Sequence, residues 1–491
     1  MRTLEELRFD NTFARLPATF YSRLAPTPFA KPPYLVSFNP AAAELIDLHP
    51  AEAQRPEFVE YFSGIRLLPG SDPLAMLYSG HQFGSYVPRL GDGRALLLGE
   101  VRNCAGEKWD LHVKGAGQTP YSRDGDGRAV LRSTIREYLC SEAMYGLGIP
   151  TSRALCIVGS EEEVLREEGV ESGAMLVRMA STHVRFGSFE VFYYRGQHES
   201  VRILADYVIT HHFPHLVEAE DRYPRFLTEV VVRTARLMAK WQAVGWAHGV
   251  MNTDNMSILG FTLDYGPFGF LDDYNPGFIC NHSDRGGRYA FHRQPDIGNW
   301  NVHALAESLL PLMTEDQARE ALKAYEPALV DHYRELMRGK LGLTEWLSED
   351  GDLLIGLLEI MQSNHVDYTN LFRALGRFRT DSEKKNALLR DMFVDRAVFD
   401  AWAARYRQRL HKEGSADEER RQRMNRVNPK YVLRNYLAQH AIALAAEKRE
   451  FSEIDRLLAL LHDPYAEQPD REQYAVPPPD WGKHIVVSCS S

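Results

Sequence analysis

The chain has 491 residues, enough for about two to four domain-sized units, and its composition (44% hydrophobic, 25% charged) is typical of a globular protein. The formal net charge of −10 argues against nucleic-acid binding through a broad basic surface, although it permits a local basic pocket for an anionic ligand. No stretch approaches the roughly 20 apolar residues of a membrane helix, and the acidic N-terminus MRTLEELRFDNTF is not a secretory signal.

The cysteines are few, odd in number and widely spaced, with no C-x-x-C pair. They are Cys104, Cys140, Cys156, Cys280 and Cys489. This spacing argues against a zinc site or a disulfide framework and favours a reducing compartment. We therefore expect a cytoplasmic protein with no membrane partner, and we take a monomer as the default state.

The first part of the chain changes character near residue 80. Residues 1–80 are rich in proline and aromatic residues, which predicts an N-terminal extension that wraps another surface. Three short apolar runs follow, YVPRL (86–90), ALLLGEV (95–101) and KWDLHVK (108–114), joined by turns that contain glycine. This pattern predicts a three-stranded meander.

A glycine- and aspartate-rich connection, GAGQTPYSRDGDGR (115–128), leads from the meander into a helix. Apolar residues recur every four positions from Leu131 to Leu147, and GLGIP then ends the helix. Residues 153–179 predict a hairpin, and a helix with an apolar stripe then leads to His248. The strings MSILG and FTLDYG (256–266) predict a second, short hairpin, and helical patterns dominate from about 296 to 465.

The segment HGVMNTDN (248–255) carries the residues with the clearest chemical meaning. Protein kinases use H-R-D-L-x-x-x-N here, with the metal-binding Asn seven residues after the His. Asn255 stands at that distance from His248, but the position of the catalytic base is Val250, which cannot accept a proton. Asp254 is the nearest replacement carboxylate, and Asp264 of LDYG stands where a second metal ligand belongs.

The order of these parts resembles the protein-kinase-like fold. Strands joined by a glycine turn end at Lys114, a helix carries Glu137, and a His-containing loop precedes an Asp-Tyr-Gly segment. We therefore expect an α+β, bilobal fold with a small β-rich N-lobe at 81–195 and a larger helical C-lobe at 196–314. The N-terminal extension would lie at 1–80, and a helical C-terminal region and tail at 315–491.

Long strings of rare composition carry a more specific resemblance. They are LAMLYSGHQFGSYVPRLGDGRALLLGEV, HVKGAGQTPYSRDGDGRAVLRSTIREYL, HGVMNTDNMSILGFTLDYGPFGFLDDY and FICNHSDRGGRYAF. With these strings the chain resembles the selenoprotein O family of kinase-like protein adenylyltransferases, as a cysteine-containing bacterial member. The resemblance runs from about residue 8 to the last residues.

The resemblance implies that ATP binds in an orientation inverted relative to a kinase, so that AMP is transferred to protein Ser, Thr or Tyr hydroxyls. It makes Asp254 the proton acceptor, Asn255 and Asp264 the ligands of Mg²⁺ or Mn²⁺, and Glu137 the partner of Lys114. The implied ATP-binding residues are Gly91, Gly93, Arg94, Lys114, Asp126, Gly127, Arg178, Arg185 and Asp264.

Two other functions stay open at this point. One is a divergent phosphotransferase that binds ATP in the usual orientation, and the other is a catalytically inactive nucleotide-binding scaffold. Val250 counts against an ordinary kinase, while the intact Lys114, Asn255 and Asp264 count against an inactive scaffold. Each residue alone has a simpler interpretation, such as a helix cap for Asp126 or a turn residue for Asp254.

The resemblance raises one further hypothesis, which concerns thiols. Cys489 in SCSS stands where many eukaryotic family members carry selenocysteine, and Cys280 lies after Asp264 where an activation segment would run. The family likeness suggests a reversible disulfide between the two, whereas their spacing alone favours two unrelated, reduced thiols.

Overall fold

A computed structural model describes residues 1–167 and 169–488 and confirms the predicted α+β class. In these ranges no helix is both long and apolar enough to cross a membrane. The strands are β1 (Tyr21–Arg23), β2 (Pro33–Phe38), β3 (Leu74–Met76), β4 (Gly80–Gln82), β5 (Ser85–Val87), β6 (Ala95–Arg102), β7 (Lys108–Lys114), β8 (Ala129–Val130), β9 (Arg153–Arg166), β10 (Gly169–Ala180), β11 (Trp246–Ala247) and β12 (Gly269–Phe270).

Eight of these strands form one antiparallel sheet in the order β1-β3-β6-β7-β10-β9-β2, with β8 paired to β10. The predicted strands at 95–101 and 108–114 are neighbours in register Ala95↔Lys114 to Arg102↔Lys108, and the predicted hairpin at 153–179 forms β9 and β10. Strands β1, β2 and β3 come from the first 80 residues and extend the sheet at both ends.

The first strand of the predicted meander, YVPRL (86–90), is wrong. Residues 85–87 pair with Gly80–Gln82 in a separate two-stranded hairpin, and β3 takes the place beside β6. The turn between β4 and β5 is Phe83–Gly84, with φ of 51° and 86°, the positive values that tight hairpin turns require. Backbone N–H groups of this hairpin donate to side chains of a distant loop, so the local sequence pattern alone could not place it.

The helices are concentrated in the second half of the chain, and the helical patterns predicted for about 296–465 are confirmed. They are α1 (Pro40–Glu44), α2 (Pro56–Phe62), α3 (Leu131–Gly146), α4 (Gly187–Tyr194), α5 (His198–His212), α6 (Arg222–Val244), α7 (Gln294–Ser308), α8 (Glu315–Leu322), α9 (Tyr325–Lys340), α10 (Asp350–Ser363), α11 (Tyr368–Leu375), α12 (Ala387–Arg390), α13 (Arg396–Lys412), α14 (Asp417–Asn425), α15 (Asn435–Lys448) and α16 (Ser452–Leu461).

Helix α3 is the centre of the packing around the sheet. It lies against β9 and β10 on one side and against α15 and α16 on the other. Its residues Ile135, Tyr138 and Leu139 are fully buried in a core that also contains Leu457 and Leu461 of α16. The C-terminal helices therefore fix the helix that carries Glu137, and they do so by burying apolar area on its outer face.

The second predicted hairpin, at 256–266, is present only as an isolated bridge between Met256 and Thr262. The chain leaves this bridge at Asp264, whose φ of 58° lies in the left-handed region that non-glycine residues seldom adopt. A continued ladder is incompatible with that backbone conformation. The strained position is that of a predicted metal ligand, which is where such conformations often occur.

Lys340, the last residue of α9, is a buried cation with no carboxylate partner in the described ranges. It is 5% exposed, and its Nζ lies 4.4 Å from the ring centroid of Phe372 and 5.5 Å from that of Tyr368. Burial lowers the pKa of Lys340 from 10.5 to about 7. The unfolded chain therefore binds the proton more tightly than the folded one, which costs stability at neutral pH.

We expect Lys340→Met to raise the free energy of unfolding by about 2 kcal/mol at pH 7, because methionine fills the space without a desolvated charge. The gain is smaller than the full cost of burying the charge, since the ring contacts of Lys340 offset part of that cost. The loss of stability caused by burying charged Lys340 is complete below pH 7 and disappears as pH rises toward 10.5, the pKa in the unfolded chain. Urea unfolding at pH 6, 7 and 9.5 measures this. Lys323→Met, at an exposed lysine paired with Glu320 at 2.6 Å, is the control, and a gain for Lys340→Met that does not shrink with pH would contradict the account.

Candidate active site

A cavity of 790 Å³ lies between the sheet and the loop that follows His248. Most of the predicted catalytic, ATP-binding and metal-binding residues line it, and the two of these that do not are bonded to residues that do: Glu137 to Lys114, and Arg185 to Asp264. The predicted residues in its lining are Gly91, Gly93, Arg94, Lys114, Asp126, Gly127, Arg178, Asp254, Asn255 and Asp264. The structure thus brings together residues that the sequence separates by more than 170 positions.

Lys114 and Glu137 form an ion pair within the buried wall of this cavity. Strand β7 ends at the lysine, and the second turn of α3 carries the glutamate. Burial lowers the pKa of Lys114, while the charge of Glu137 acts in the opposite direction. The other oxygen of Glu137 accepts a bond from Arg178 Nη1 at 3.1 Å, so one carboxylate orients two cations.

Asp264 is held between two buried arginines. Arg178 pairs with its Oδ1, and Arg185 Nη1 donates to its Oδ2 at 2.7 Å. Burial alone would raise the pKa of Asp264, but Arg178, Arg185 and Lys114 together hold it well below its usual value. Three buried cations therefore surround two carboxylates, and Nη2 of Arg185 has no hydrogen-bond partner in the described ranges. This excess of positive charge and unused donors suits an anion.

The loop at 248–255 is shaped by His248, which the structure shows to be a structural residue. Its Nε2 donates to Leu263 O at 3.0 Å, and its Nδ1 accepts from the backbone N–H of Val250 at 3.2 Å. Asn255 Nδ2 donates to Val250 O at 3.0 Å, so its side-chain carbonyl oxygen is directed away from that bond. Val250 thus contributes backbone groups to the loop where a kinase would place its catalytic carboxylate.

Asp254 is 8% exposed and carries few bonds for a buried carboxylate. Gln82 Nε2 donates to its Oδ2 at 3.3 Å, and its Oδ1 has no hydrogen-bond partner in the described part of the chain. Burial raises the pKa of Asp254 to about 7, against the opposing charge of Arg185. Arg185 Nη1 also donates to the backbone carbonyl of Asp254 at 2.8 Å, which joins this residue to the Asp264 cluster.

Two turns that contain glycine, at Gly91 and Gly127, also line the cavity. A Cβ on Gly91 would lie 2.7 Å from the ring of Tyr121, and one on Gly127 would lie 2.1 Å from the backbone of Gly117. Both positions have positive φ and therefore need glycine for two reasons. Asp126 accepts the backbone N–H of Arg128 at 2.8 Å and pairs with Arg166 at 2.7 Å, so it shapes this turn while its side chain borders the cavity.

Sequence reasoning missed His112 and Gln82. Burial lowers the pKa of His112 to about 4, so the ring is neutral. Its Nε2 donates to Asp92 at 3.1 Å and its Nδ1 accepts from Arg178 at 3.0 Å, which fixes the arginine. The alternation of β7 contained a signal for it, because His112 shares a face of the strand with Lys114. No local pattern pointed to Gln82.

Only one member of the suggested redox pair can be placed. Cys280 is buried, with Sγ 2.8 Å from Pro267 O, whereas Cys489 lies outside the described residues. The tail does reach the same segment, since His282 N donates to Val487 O at 2.8 Å. The disulfide stays a prediction.

Comparisons with known proteins show the family to which the chain belongs. A family model described as protein adenylyltransferase SelO matches residues 3–462. The protein nucleotidyltransferase YdiU of Myxococcus xanthus is 64% identical over 491 residues, which is 100% of both chains. The proteins of the same name from Thiobacillus denitrificans and Thioalkalivibrio sulfidiphilus are 57% and 56% identical, again over 100% of both chains.

These matches define the chain as an enzyme of the protein nucleotidyltransferase class. More particularly, it belongs to the protein adenylyltransferase SelO family, which confirms the resemblance found in its sequence.

Proposed function

We propose that this enzyme transfers AMP from ATP to Ser, Thr or Tyr hydroxyls of proteins, with ATP inverted relative to a kinase, and that its frame is the bilobal kinase-like fold. The observation that carries the proposal is the arrangement of charged side chains at the cavity, with cations on one side and a carboxylate beside them. Buried Arg178, Arg185 and Lys114 form one cationic group, and the partly bonded carboxylate of Asp254 lies beside it.

The cationic group suits the β- and γ-phosphates, which carry most of the charge of ATP. Arginine forms bidentate bonds to phosphate oxygens. Nη2 of Arg185 and Nε of Arg178 have no hydrogen-bond partner among the described residues and are donors for such bonds. With those phosphates bound there, the α-phosphate would face Asp254. The turns at Gly91–Arg94 and Asp126–Gly127 line the same cavity and would admit the remainder of the nucleotide.

Asp264 and Asn255 fit a divalent metal, for which we propose Mg²⁺ or Mn²⁺. Both offer hard oxygen donors to the cavity, and each oxygen of Asp264 keeps lone pairs beyond those used by the arginines. Two protein ligands are typical where phosphate oxygens and water complete the coordination of Mg²⁺. When bound, the ion would neutralise charge on the phosphate oxygens.

In the proposed reaction the acceptor hydroxyl gives its proton to Asp254, and its oxygen forms a bond to the α-phosphorus. The bond from that phosphorus to the bridging oxygen breaks, and pyrophosphate leaves with the electron pair. Arg178, Arg185 and Lys114 stabilise the charge on the leaving pyrophosphate without reorganising, because their carboxylate partners already hold them in position. Asp254 serves as general base.

Labelled ATP tests the proposal directly. We expect protein substrates incubated with the enzyme and Mg²⁺ or Mn²⁺ to acquire label from α-labelled ATP and none from γ-labelled ATP. Electrophoresis of the treated proteins and counting of each band measures this, with an incubation that contains a chelator in place of metal as the control. Label from the γ position would show a phosphotransferase, and no label from either position would show a nucleotide-binding scaffold.

A further inference from the structure

The hairpin formed by β4 and β5, residues 80–87, lies across the loop that carries Asp254. His81 N donates to Thr253 Oγ1 at 2.7 Å, and Phe83 N lies 3.2 Å from Asn252 Oδ1 and 2.9 Å from the hydroxyl of Tyr289. One hairpin therefore connects the loop with the segment that follows Asp264. The hairpin is bonded to both, so its position relative to Asp254 is fixed.

The contact between this hairpin and Asp254 is close. A Cβ on Gly80 would lie 2.6 Å from Asp254 Oδ1, so only glycine fits there, and Gln82 reaches Oδ2 of the same carboxylate. Phe83 follows at the tip with φ of 51°, a conformation that an aromatic residue adopts only under constraint. Its ring is 42% exposed although it borders the cavity.

Arg288 lies beside this tip and has no carboxylate partner in the described ranges. Its guanidinium lies 5.0 Å from the ring centroid of Trp300 and 5.8 Å from that of Tyr289. A Cβ on Gly84 would come within 3.2 Å of its Cζ, and its buried Nε has no hydrogen-bond partner among residues 1–167 and 169–488. The rings and the hairpin therefore hold this cation in place, and no acid of the described chain neutralises it.

Arg288 lies outside the cavity in which we propose that ATP binds. Phe83 lines the 790 Å³ cavity, but Arg288 and Trp300 lie outside its lining. Trp300 is 36% exposed, so an exposed aromatic surface continues from Phe83 at the cavity to the cation outside it. Arginine and aromatic residues are the side chains that most often dominate protein–protein binding energy.

Building on the proposed function, we propose that Phe83, Arg288 and Trp300 form the acceptor-docking surface, and that Arg288 binds an acidic side chain close to the hydroxyl that is modified. The planar guanidinium matches a carboxylate in two parallel hydrogen bonds, and the rings of Trp300 and Tyr289 already lie beside it. Phe83 and Trp300 would pack against the substrate residues on either side of that acidic side chain. The acceptor would then be an extended, acidic stretch of a protein substrate.

Paired fluorescent peptides test this surface. Each peptide carries one serine. The two peptides of a pair differ only at one position, which holds aspartate in one and asparagine in the other, and a series of pairs places that position at different distances from the serine. We measure binding by anisotropy with a non-hydrolysable ATP analogue present, and transfer with α-labelled ATP. At one or more offsets the wild-type enzyme should bind the aspartate peptide about tenfold more tightly than its asparagine partner.

Arg288→Gln should abolish this preference with no change in the KM for ATP. Arg285→Gln, at an exposed arginine of the same segment, should retain it. Arg288→Glu should instead favour the lysine version of the same peptide, which a variant that merely failed to fold could not do. Equal binding of aspartate and asparagine peptides by wild-type enzyme at every offset, or a preference that survives in Arg288→Gln, would overturn the inference. Binding preference without α-label transfer would contradict the proposed function and leave the docking surface supported.

Discussion

Asp254→Ala should lower the rate of AMP transfer by about 10²–10⁴-fold, the usual contribution of a general base, while ATP binds with little change in affinity. The nucleotide phosphates would contact Arg178, Arg185 and Lys114, none of which uses the Asp254 side chain as a hydrogen-bond partner in the described structure. Transfer rates with α-labelled ATP and calorimetric titration of ATP measure the two quantities separately.

A matched substitution controls for changes in the cavity. Asp124 also lines it, but it lies in the exposed connection after β7 and, in the part of the chain that the structure describes, makes no bond to the loop at 248–255. Asp124→Ala should therefore keep most of the transfer rate. Full activity of Asp254→Ala would remove the proposed base, and an equal loss in both variants would mean that cavity shape rather than proton transfer is responsible.

Asp264→Asn should have two effects, one on catalysis and one on stability. Loss of the negative charge removes the stronger of two proposed metal ligands, and we expect transfer to fall by about 10³-fold or more, a range reached when a key electrostatic group is removed. It also leaves Arg178 and Arg185 without their shared anion, which should cost about 3 kcal/mol of unfolding free energy. Inorganic pyrophosphate should restore part of that stability, because it would supply the missing charge.

Asp272→Asn distinguishes the catalytic effect from the structural one. Asp272 pairs with the buried Arg434 outside the cavity, so its substitution should lower the melting temperature without pyrophosphate rescue and with little loss of transfer. Urea unfolding of both variants, with and without pyrophosphate, supplies the comparison. An active Asp264→Asn variant whose rate still depends on Mg²⁺ or Mn²⁺ would contradict the assignment of Asp264.

The parts of the fold that sequence predicted well are those set by local periodicity. Short apolar runs between glycine turns, ALLLGEV and KWDLHVK, gave β6 and β7, and four-residue recurrence from Leu131 to Leu147 gave α3 within one residue at its C-terminal end. These elements carry Lys114 and Glu137, whose pairing could be expected from the order of parts. The structure then adds Arg178 as a second cation on the same carboxylate.

The parts that sequence could not predict depend on contacts between distant segments. Residues 86–90 form a short apolar run like that of a strand, yet bonds to Thr253 and Asn252 place the hairpin elsewhere. The Gln82–Asp254 bond spans 172 positions, and the ring contacts of Arg288 depend on how α7 packs. None of these has a periodicity or a short motif that a single sequence would display.

The orientation of ATP is the central claim, and a crystal structure with a non-hydrolysable ATP analogue and Mg²⁺ tests it most directly. We predict that the γ-phosphate contacts Arg178 and Arg185, that the metal lies on Asn255 and Asp264, and that the α-phosphorus faces the carboxylate of Asp254. A γ-phosphate beside Asp254, with the α-phosphate against the two arginines, would contradict the proposed chemistry.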